Sequence, residues 1–249
     1  MLATGSNTLS GYKLSIRSGA DGFSFSVRST LDGSVVQTDF FPVSESSSVA
    51  DVLREALRKP YLMDYQFQSV ELIADSQATI VPLEQFNKGD MLAFYRLSFP
   101  GQQANVADMQ YQILPSLEVV MVFCLDQTIL HIVQECYPEV RVCCAEAQLL
   151  EHFAAMQAKC PTPADMEQRD AYVRCDAQHL FVCVFHRNKL QYAGAQAADN
   201  DNNRIFLLLG IWKALDMHAQ RDVCHLEGAS EELQKTLSEY LLNVEKLKG

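Results

Sequence analysis

The stretch YVRCDAQHLFVCVFHRNKLQY, Tyr172 to Tyr192, decides the fold. It runs through three short extended segments separated by turns, and the triplet Arg174-Cys175-Asp176 stands at the first turn. An earlier stretch, LSIRSGADGFSFSVRSTLDGSVV from Leu14 to Val36, has the same layout. There Phe23, Phe25 and Val27 share one face of a strand and Ser24 and Ser26 the other. Gly19-Ala20-Asp21-Gly22 and Asp32-Gly33 are hairpin turns. Laid over one another without gaps, SIRSGADGFSFSV (15–27) and YVRCDAQHLFVCV (172–184) match Arg17 with Arg174, Ala20 with Ala177 and Val27 with Val184. The chain makes one three-stranded ribbon twice.

The elements after each ribbon are also alike. After the first, SSSVADVLREALRK predicts an amphipathic helix with a serine N-cap and Val49, Val52, Leu53, Ala56 and Leu57 inward. A strand is expected from Ser69 to Ala74. After the second come the helix NNRIFLLLGIWKALDMHA, the strand VCHLEG and a last helix. That helix has Ser230 as N-cap, Glu231 and Glu232 in its first turn, and Lys246 and Lys248 at its end. Leu233, Leu237, Tyr240, Leu241 and Val244 form its expected buried stripe.

Between the copies, Pro82 breaks the pattern of ATIVPLEQF, and 90–114 reads as a short helix or excursion followed by two extended pieces. VVMVFCL is a continuous apolar run, the mark of a strand buried on both faces. Asp126 caps the helix DQTILHIVQECY, EVRVCCA is the next strand, and EAQLLEHFAAM the next helix. KCPTPADMEQ, 159–168, is the linker. The expected organisation is an α/β chain of two lobes, 10–160 with a small insertion near 81–112, and 170–249.

Composition narrows the function classes. With 48% hydrophobic and 20% charged residues the chain has a globular core. Its 31 acidic against 20 basic residues give a net charge of −11, which argues against a nucleic-acid partner, since phosphate contacts need clustered Lys and Arg. The N-terminus MLATGSNTLSG has no basic, then apolar, leader pattern. No apolar run approaches the roughly 20 residues of a membrane span, so a cytoplasmic location is expected. None of the eight cysteines falls in a C-x-x-C pair, so they read as free, mostly buried thiols, and no metal site is expected.

In this order of elements the chain resembles the actin-like ATPase superfamily, whose lobes are each an RNase H-like β-β-β-α-β-α unit. It is most similar to the PilM-like branch of pilus and secretion assembly proteins. There a VVMVFCL-like strand and helix and an EVRVCCAEAQLL-like strand and helix precede a second ribbon, and the region from IVPLEQF to DMQYQIL holds a small inserted subdomain. Membership of a bacterial domain-of-unknown-function family with this fold is the matching expectation.

The resemblance implies an Asp-x-Gly in each ribbon turn, the Asp placing metal and water and the Gly admitting phosphate, and a Gly-rich turn cradling adenosine. The candidates for these contacts on this chain are Gly22 beside Asp21, and Asp176, a few residues beyond the aligned positions, with Gly228, Ala229 and Ser230 at the Gly-rich turn, and ATP and Mg are the implied cofactors. The departures are specific. Arg17 and Arg174 stand where the family has Asp, and Glu227 replaces the first Gly in LEGASEEL. A carboxylate about 4 Å from a phosphate charge, at an effective dielectric near 20, costs about 4 kcal/mol. That is roughly a thousandfold in affinity.

The residues also have plain readings of their own. Asp21 and Asp176 suit ordinary turns, and Ser230 suffices as a helix cap. Arg17 and Arg174 serve either as anion contacts or in internal ion pairs, the second being favoured. Nothing assembles a catalytic set: LSIRS lacks the carboxylates of a two-metal nuclease, no G-x-S-x-G is present, and the six histidines are scattered. The expectation is a non-catalytic actin-like protein acting as a protein-binding or scaffold module without a cofactor. The alternative is an ATP-binding protein or weak ATPase using the cleft between its lobes.

Overall fold

The computed structural model describes residues 11–44, 47–163 and 166–247. Residues 1–10, on which the leader reading rests, and Lys248 lie outside the described residues. The first ribbon is β1 (Tyr12–Gly19), β2 (Gly22–Ser29) and β3 (Val35–Pro42), and α1 (Val49–Leu57), the short α2 (Tyr61–Asp64) and β4 (Phe67–Ala74) come after it. Next come β5 (Ala78–Pro82), α3 (Met91–Ser98), β6 (Met109–Leu114), β7 (Val119–Cys124), α4 (Gln127–Cys136), β8 (Arg141–Cys144) and α5 (Ala145–Lys159). The second ribbon is β9 (Arg169–Cys175), β10 (His179–His186) and β11 (Lys189–Ala197), and the chain closes with α6 (Asp201–Ala214), β12 (Val223–Glu227), α7 (Glu231–Leu237) and β13 (Asn243–Lys246).

Two five-stranded sheets repeat one order, β3-β2-β1-β4-β8 and β11-β10-β9-β12-β13. In both, the ribbon strands are antiparallel and the last two strands join in parallel. The helix between the third and fourth strands supplies the crossover that a parallel neighbour requires. The duplication extends to register. Arg17 faces Ser24 across its hairpin and Arg174 faces Phe181 across the other, the same pairing that the gapless alignment of 15–27 with 172–184 gives.

By contacts the chain divides into two compact units. One takes the chain up to Ser76, Lys88–Gln112 and Val122–Ala145; the other takes Gln77–Asn87, Ile113–Met121 and the chain from Glu146 onward. In the first, Phe23, Phe25 and Val27 are buried as their alternation requires, alongside Leu14, Ile16 and the α1 residues Leu53 and Ala56. Phe25 meets Phe41 edge to face at 5.2 Å. In the second, β10 is buried from Leu180 to Phe185 because helices cover both its faces. Leu180, Val182 and Val184 pack with Leu208 and Trp212 of α6 and Leu233 and Leu237 of α7. Phe153 of α5 lies against Tyr172 and Phe181 on the opposite side.

Caps fall where the sequence puts them: Ser48 accepts from Asp51 N, Asp126 from Thr128 N, and Ser230 from Leu233 N. Val119 to Phe123 are all buried, as a continuous apolar strand demands. That strand belongs to a third sheet, β5-β7-β6, while β8 joins β4. Two expectations are corrected. The last helix stops at Leu237; Tyr240 is exposed, and Val244 lies in β13, which pairs in parallel with β12. The free edge of β12 offers Asn243–Lys246 a ladder of backbone hydrogen bonds, and that outweighs continuing a helix. Between α3 and β7 there is one strand, not two, since Val106–Asp108 forms a 3-10 turn. Among the described residues no helix is long and apolar enough to cross a membrane.

Beneath β9 lies a buried polar cluster. Asp170 accepts hydrogen bonds from His225 Nε2 and Gln168 Nε2, both at 3.2 Å, and from the Thr162 hydroxyl and Gln157 Nε2. Burial raises the Asp170 pKa, but the bonds from His225, Thr162 and Gln168 outweigh it, and its carboxyl is held below the usual value.

Phe25→Ala should cost about 3–5 kcal/mol in a denaturant melt, the price of a buried aromatic cavity. Asp170→Asn should cost about 1–3 kcal/mol near neutrality. The sign of its pH dependence comes from the lowered folded pKa. Stability from ionised Asp170 is present above the unfolded value of about 3.9 and lost as pH falls through the folded one. The gap between wild type and Asp170→Asn should therefore narrow in urea melts at progressively lower pH.

Candidate functional site

The residues singled out by the sequence fall at two turns, one in each unit. In the second unit β9 and β12 run in parallel with Arg174 opposite Glu227, so both side chains leave the sheet on one face at the strand ends. Arg174 Nη1 donates to Glu227 Oε1, and His152 Nε2 of α5 stands 3.8 Å from the other carboxylate oxygen. The Glu227 side chain is 13% exposed and that of Arg174 40%. This is a charge-assisted bond partly shielded from water.

The turn between β9 and β10 closes on itself. Asp176 Oδ1 accepts from the backbone N–H of Gln178 at 2.8 Å and of His179 at 2.7 Å. Arg204 of α6 donates through Nη2 to the Asp176 carbonyl and through Nη1 to Asp201 Oδ1 at 2.7 Å. The Ser230 hydroxyl donates to Asp201 Oδ2 at 2.7 Å while accepting from Leu233 N at 2.9 Å. The Ser230 bond and then the Arg204 guanidinium hold the Asp201 carboxyl below its usual pKa, against partial burial. Gly228 has φ +70°, and a Cβ there would lie 2.3 Å from the Cys175 carbonyl oxygen. Only glycine fits this crossing of the β12–α7 turn over the ribbon end. Ala229, next to it, is buried in the core beneath α7.

The structure thus gathers Arg174, Asp176, Gly228, Ala229 and Ser230 in one place. Sequence reasoning missed their partners Asp201, Arg204 and His152. Asp201 and Arg204 carry an i,i+3 signal on α6, whereas nothing local points to His152.

In the first unit the corresponding position differs. Arg17 lies opposite Ile73 of β4, so its guanidinium reaches past the strand end to Asp75 Oδ2 at 3.4 Å, with both side chains about half exposed. Gly22 has φ +147°, and a Cβ there would lie 2.2 Å from the Phe41 carbonyl oxygen. Asp21 accepts through its backbone carbonyl from Val43 N at 2.9 Å.

As a donor set for the phosphates of a nucleotide, the second unit's turn does not fit. Its arginine is engaged by Glu227 and its Gln178 and His179 N–H groups by Asp176, so a phosphate would compete with the chain's own carboxylates for these donors. Among the described residues no group of three or more His, Cys, Asp or Glu side chains is placed to hold a metal ion. Burial pushes the Cys175 thiol up to about 11, so the cysteine of the Arg-Cys-Asp triplet stays protonated at neutral pH.

Comparison with known proteins places this geometry. The model of a family described as "protein of unknown function (DUF3822)" matches residues 4–244. Among solved structures, a Bacteroides thetaiotaomicron VPI-5482 protein with actin-like ATPase fold and unknown function is similar with a TM-score of 0.77 and 26% identity, over 96% of this chain and 91% of that one. A chain of the PilM–PilN type IV pilus biogenesis complex is similar with a TM-score of 0.51 and 12% identity, over 95% of this chain and 88% of that one. No curated protein matches. The fold is that of the actin-like ATPases.

The two arginines should behave unequally. Arg174→Ala leaves the shielded Glu227 carboxylate without its cation and should cost about 1–2 kcal/mol. Arg17→Ala removes an exposed pair and should cost at most about 0.5 kcal/mol. Chemical denaturation of both variants beside wild type measures the difference.

Proposed function

The chain belongs to the DUF3822 family and has the actin-like ATPase fold, and from that premise we propose that it is a non-catalytic member that works by binding protein. The observation that carries this reading is the internal pairing of Arg174 with Glu227 at the ribbon turn. An arginine committed to a neighbouring carboxylate is a structural group, and the Asp176 side chain commits the turn's N–H groups in the same way. The glycines retained at the turns, Gly22 and Gly228, have reasons within the fold, because backbone carbonyls occupy the space a side chain would need.

Partner binding draws support from two directions. Large apolar side chains stand in solvent on each unit, among them Leu97 at 81% and Phe206 at 78% exposure. The fold also occurs in a protein assembly, the PilM–PilN complex.

Calorimetric titration with Mg-ATP is the test. The expected result is no heat of binding at micromolar to high-micromolar nucleotide. Micromolar binding would overturn the reading in favour of a nucleotide-dependent protein. A pull-down from the native host that recovers no partner would overturn it from the other side.

A further inference from the structure

The first unit contains a groove of about 600 Å3 between the end of α1, α2, the start of β4 and the turn after α4. That is within the roughly 300–1,000 Å3 of pockets that take a ligand or an anchoring side chain. Its walls are aromatic and fixed against one another. Phe67 meets Tyr137 edge to face at 6.1 Å and Tyr65 at 6.1 Å, and Tyr65 is braced by Tyr12 at 4.7 Å. Met63, 82% exposed, stands at the rim.

The floor of the groove is an unfinished strand edge. β4 pairs with β1 from Phe67 onward, but with β8 only from Glu71, opposite Arg141. Over Phe67–Val70 the side of β4 away from β1 has no strand partner among the described residues. The cause lies in the approach to β8: Val140 N bonds back to Tyr137 O at 3.0 Å, and Pro138, which has no N–H, sits within that turn. The chain therefore reaches β4 late and leaves backbone donors and acceptors facing the groove.

The charge in the lining itself is negative, while Arg58, also exposed, follows the lining residue Leu57. Glu139 is the charged side chain of the lining, and Asp64 stands between the lining residues Met63 and Tyr65. Both are exposed, and neither has an ion-pair partner among the described residues. The nearest cation along the β8 track, Arg141, is held by Glu71 at 3.7 Å, which also binds Lys13 at 2.7 Å.

We propose that this groove receives an extended, basic segment of a partner protein. The segment adds a short strand to Phe67–Val70 in line with β8, seats an apolar side chain among Tyr65, Phe67 and Tyr137, and brings Lys or Arg to Asp64 and Glu139. An apolar small molecule would fill the walls and leave the strand edge unpaired. A second copy of this chain, net charge −11, or an anionic lipid surface would be repelled by the carboxylates. The proposal rests on the reading of the chain as a protein-binding module and gives that reading a place.

The probe is the pentapeptide acetyl-Lys-Val-Lys-Phe-Lys-amide, titrated into the 15N-labelled full chain and followed by amide chemical shifts. Saturable shifts at Gln68, Ser69, Val70, Tyr137 and Glu139 are expected. Replacing lysine by glutamate in the peptide, or methylating its backbone nitrogens, should each remove them. The double variant Asp64→Lys/Glu139→Lys, altered only at exposed positions, should bind about tenfold more weakly. Reversal of two exposed acids on α7, Glu231→Lys/Glu232→Lys, should leave binding unchanged. Absent or scattered shifts, equal binding of the glutamate or methylated peptide, or equal weakening by the α7 reversal would each overturn the proposal. So would shifts produced by neutral phosphatidylcholine vesicles, or by raising the protein concentration alone. If a native-host pull-down still recovers its partner with Asp64→Lys/Glu139→Lys, the groove assignment falls and the protein-binding reading stands.

Discussion

The parallel pairing of β9 with β12 is the constraint on which the second unit is built. Its register sets Asp170 opposite Val223, Tyr172 opposite His225 and Arg174 opposite Glu227. Three consequences come from that one ladder: His225 stacks on Tyr172 at 4.6 Å, reaches Asp170 at 3.2 Å, and Arg174 finds its carboxylate at the strand ends. A slip of one residue would turn every one of these side chains to the opposite face. The first unit keeps the same ladder between β1 and β4 but offers Arg17 an isoleucine in place of the glutamate. Equivalent arginines in equivalent strands therefore have different partners and different exposure. The duplication is a property of the backbone, and the chemistry of each copy is set by the fourth strand.

That distinction bears on what the fold is used for. Actin-like folds put their turns at the strand ends, where backbone N–H groups and small residues can admit an anion. Here the second unit's turn is engaged by the chain's own side chains, Glu227 on Arg174 and Asp176 on the turn's N–H groups, while in the first unit Asp75 meets Arg17 in a half-exposed pair. An unpaired strand edge lies elsewhere, at the start of β4.

The sequence shows the locally encoded parts of this structure well and the parts set by long-range pairing poorly. Alternation in GFSFSV, the hairpin glycines and the caps at Ser48, Asp126 and Ser230 are local signals with periods of two or three to four residues, and they translate directly into strands and helices. The segment after α7 misleads because Leu237, Leu241 and Val244 continue a helical spacing. The free edge of β12, a tertiary feature, takes it as a strand instead. The pairing of Arg174 with Glu227 spans 53 positions and depends on a parallel register that no local pattern encodes. The open edge at Phe67–Val70 is invisible for a similar reason, since it exists because β8 begins where it does.

The thiols carry a consequence for handling. Five of the eight cysteines, Cys143, Cys144, Cys175, Cys183 and Cys224, are buried, and none of the eight is in a disulfide. Burial pushes the Cys175, Cys183 and Cys224 thiols well above their ordinary values, so the native chain shields them from oxidation. Unfolding releases all five at once, with ordinary reactivity, beside Cys136 and Cys160 that are exposed already. Under air the thiols of the unfolded chain are open to disulfide formation, which competes with refolding and moves the working measure of durability towards an unfolding half-life. In a reducing medium the same chain returns to equilibrium.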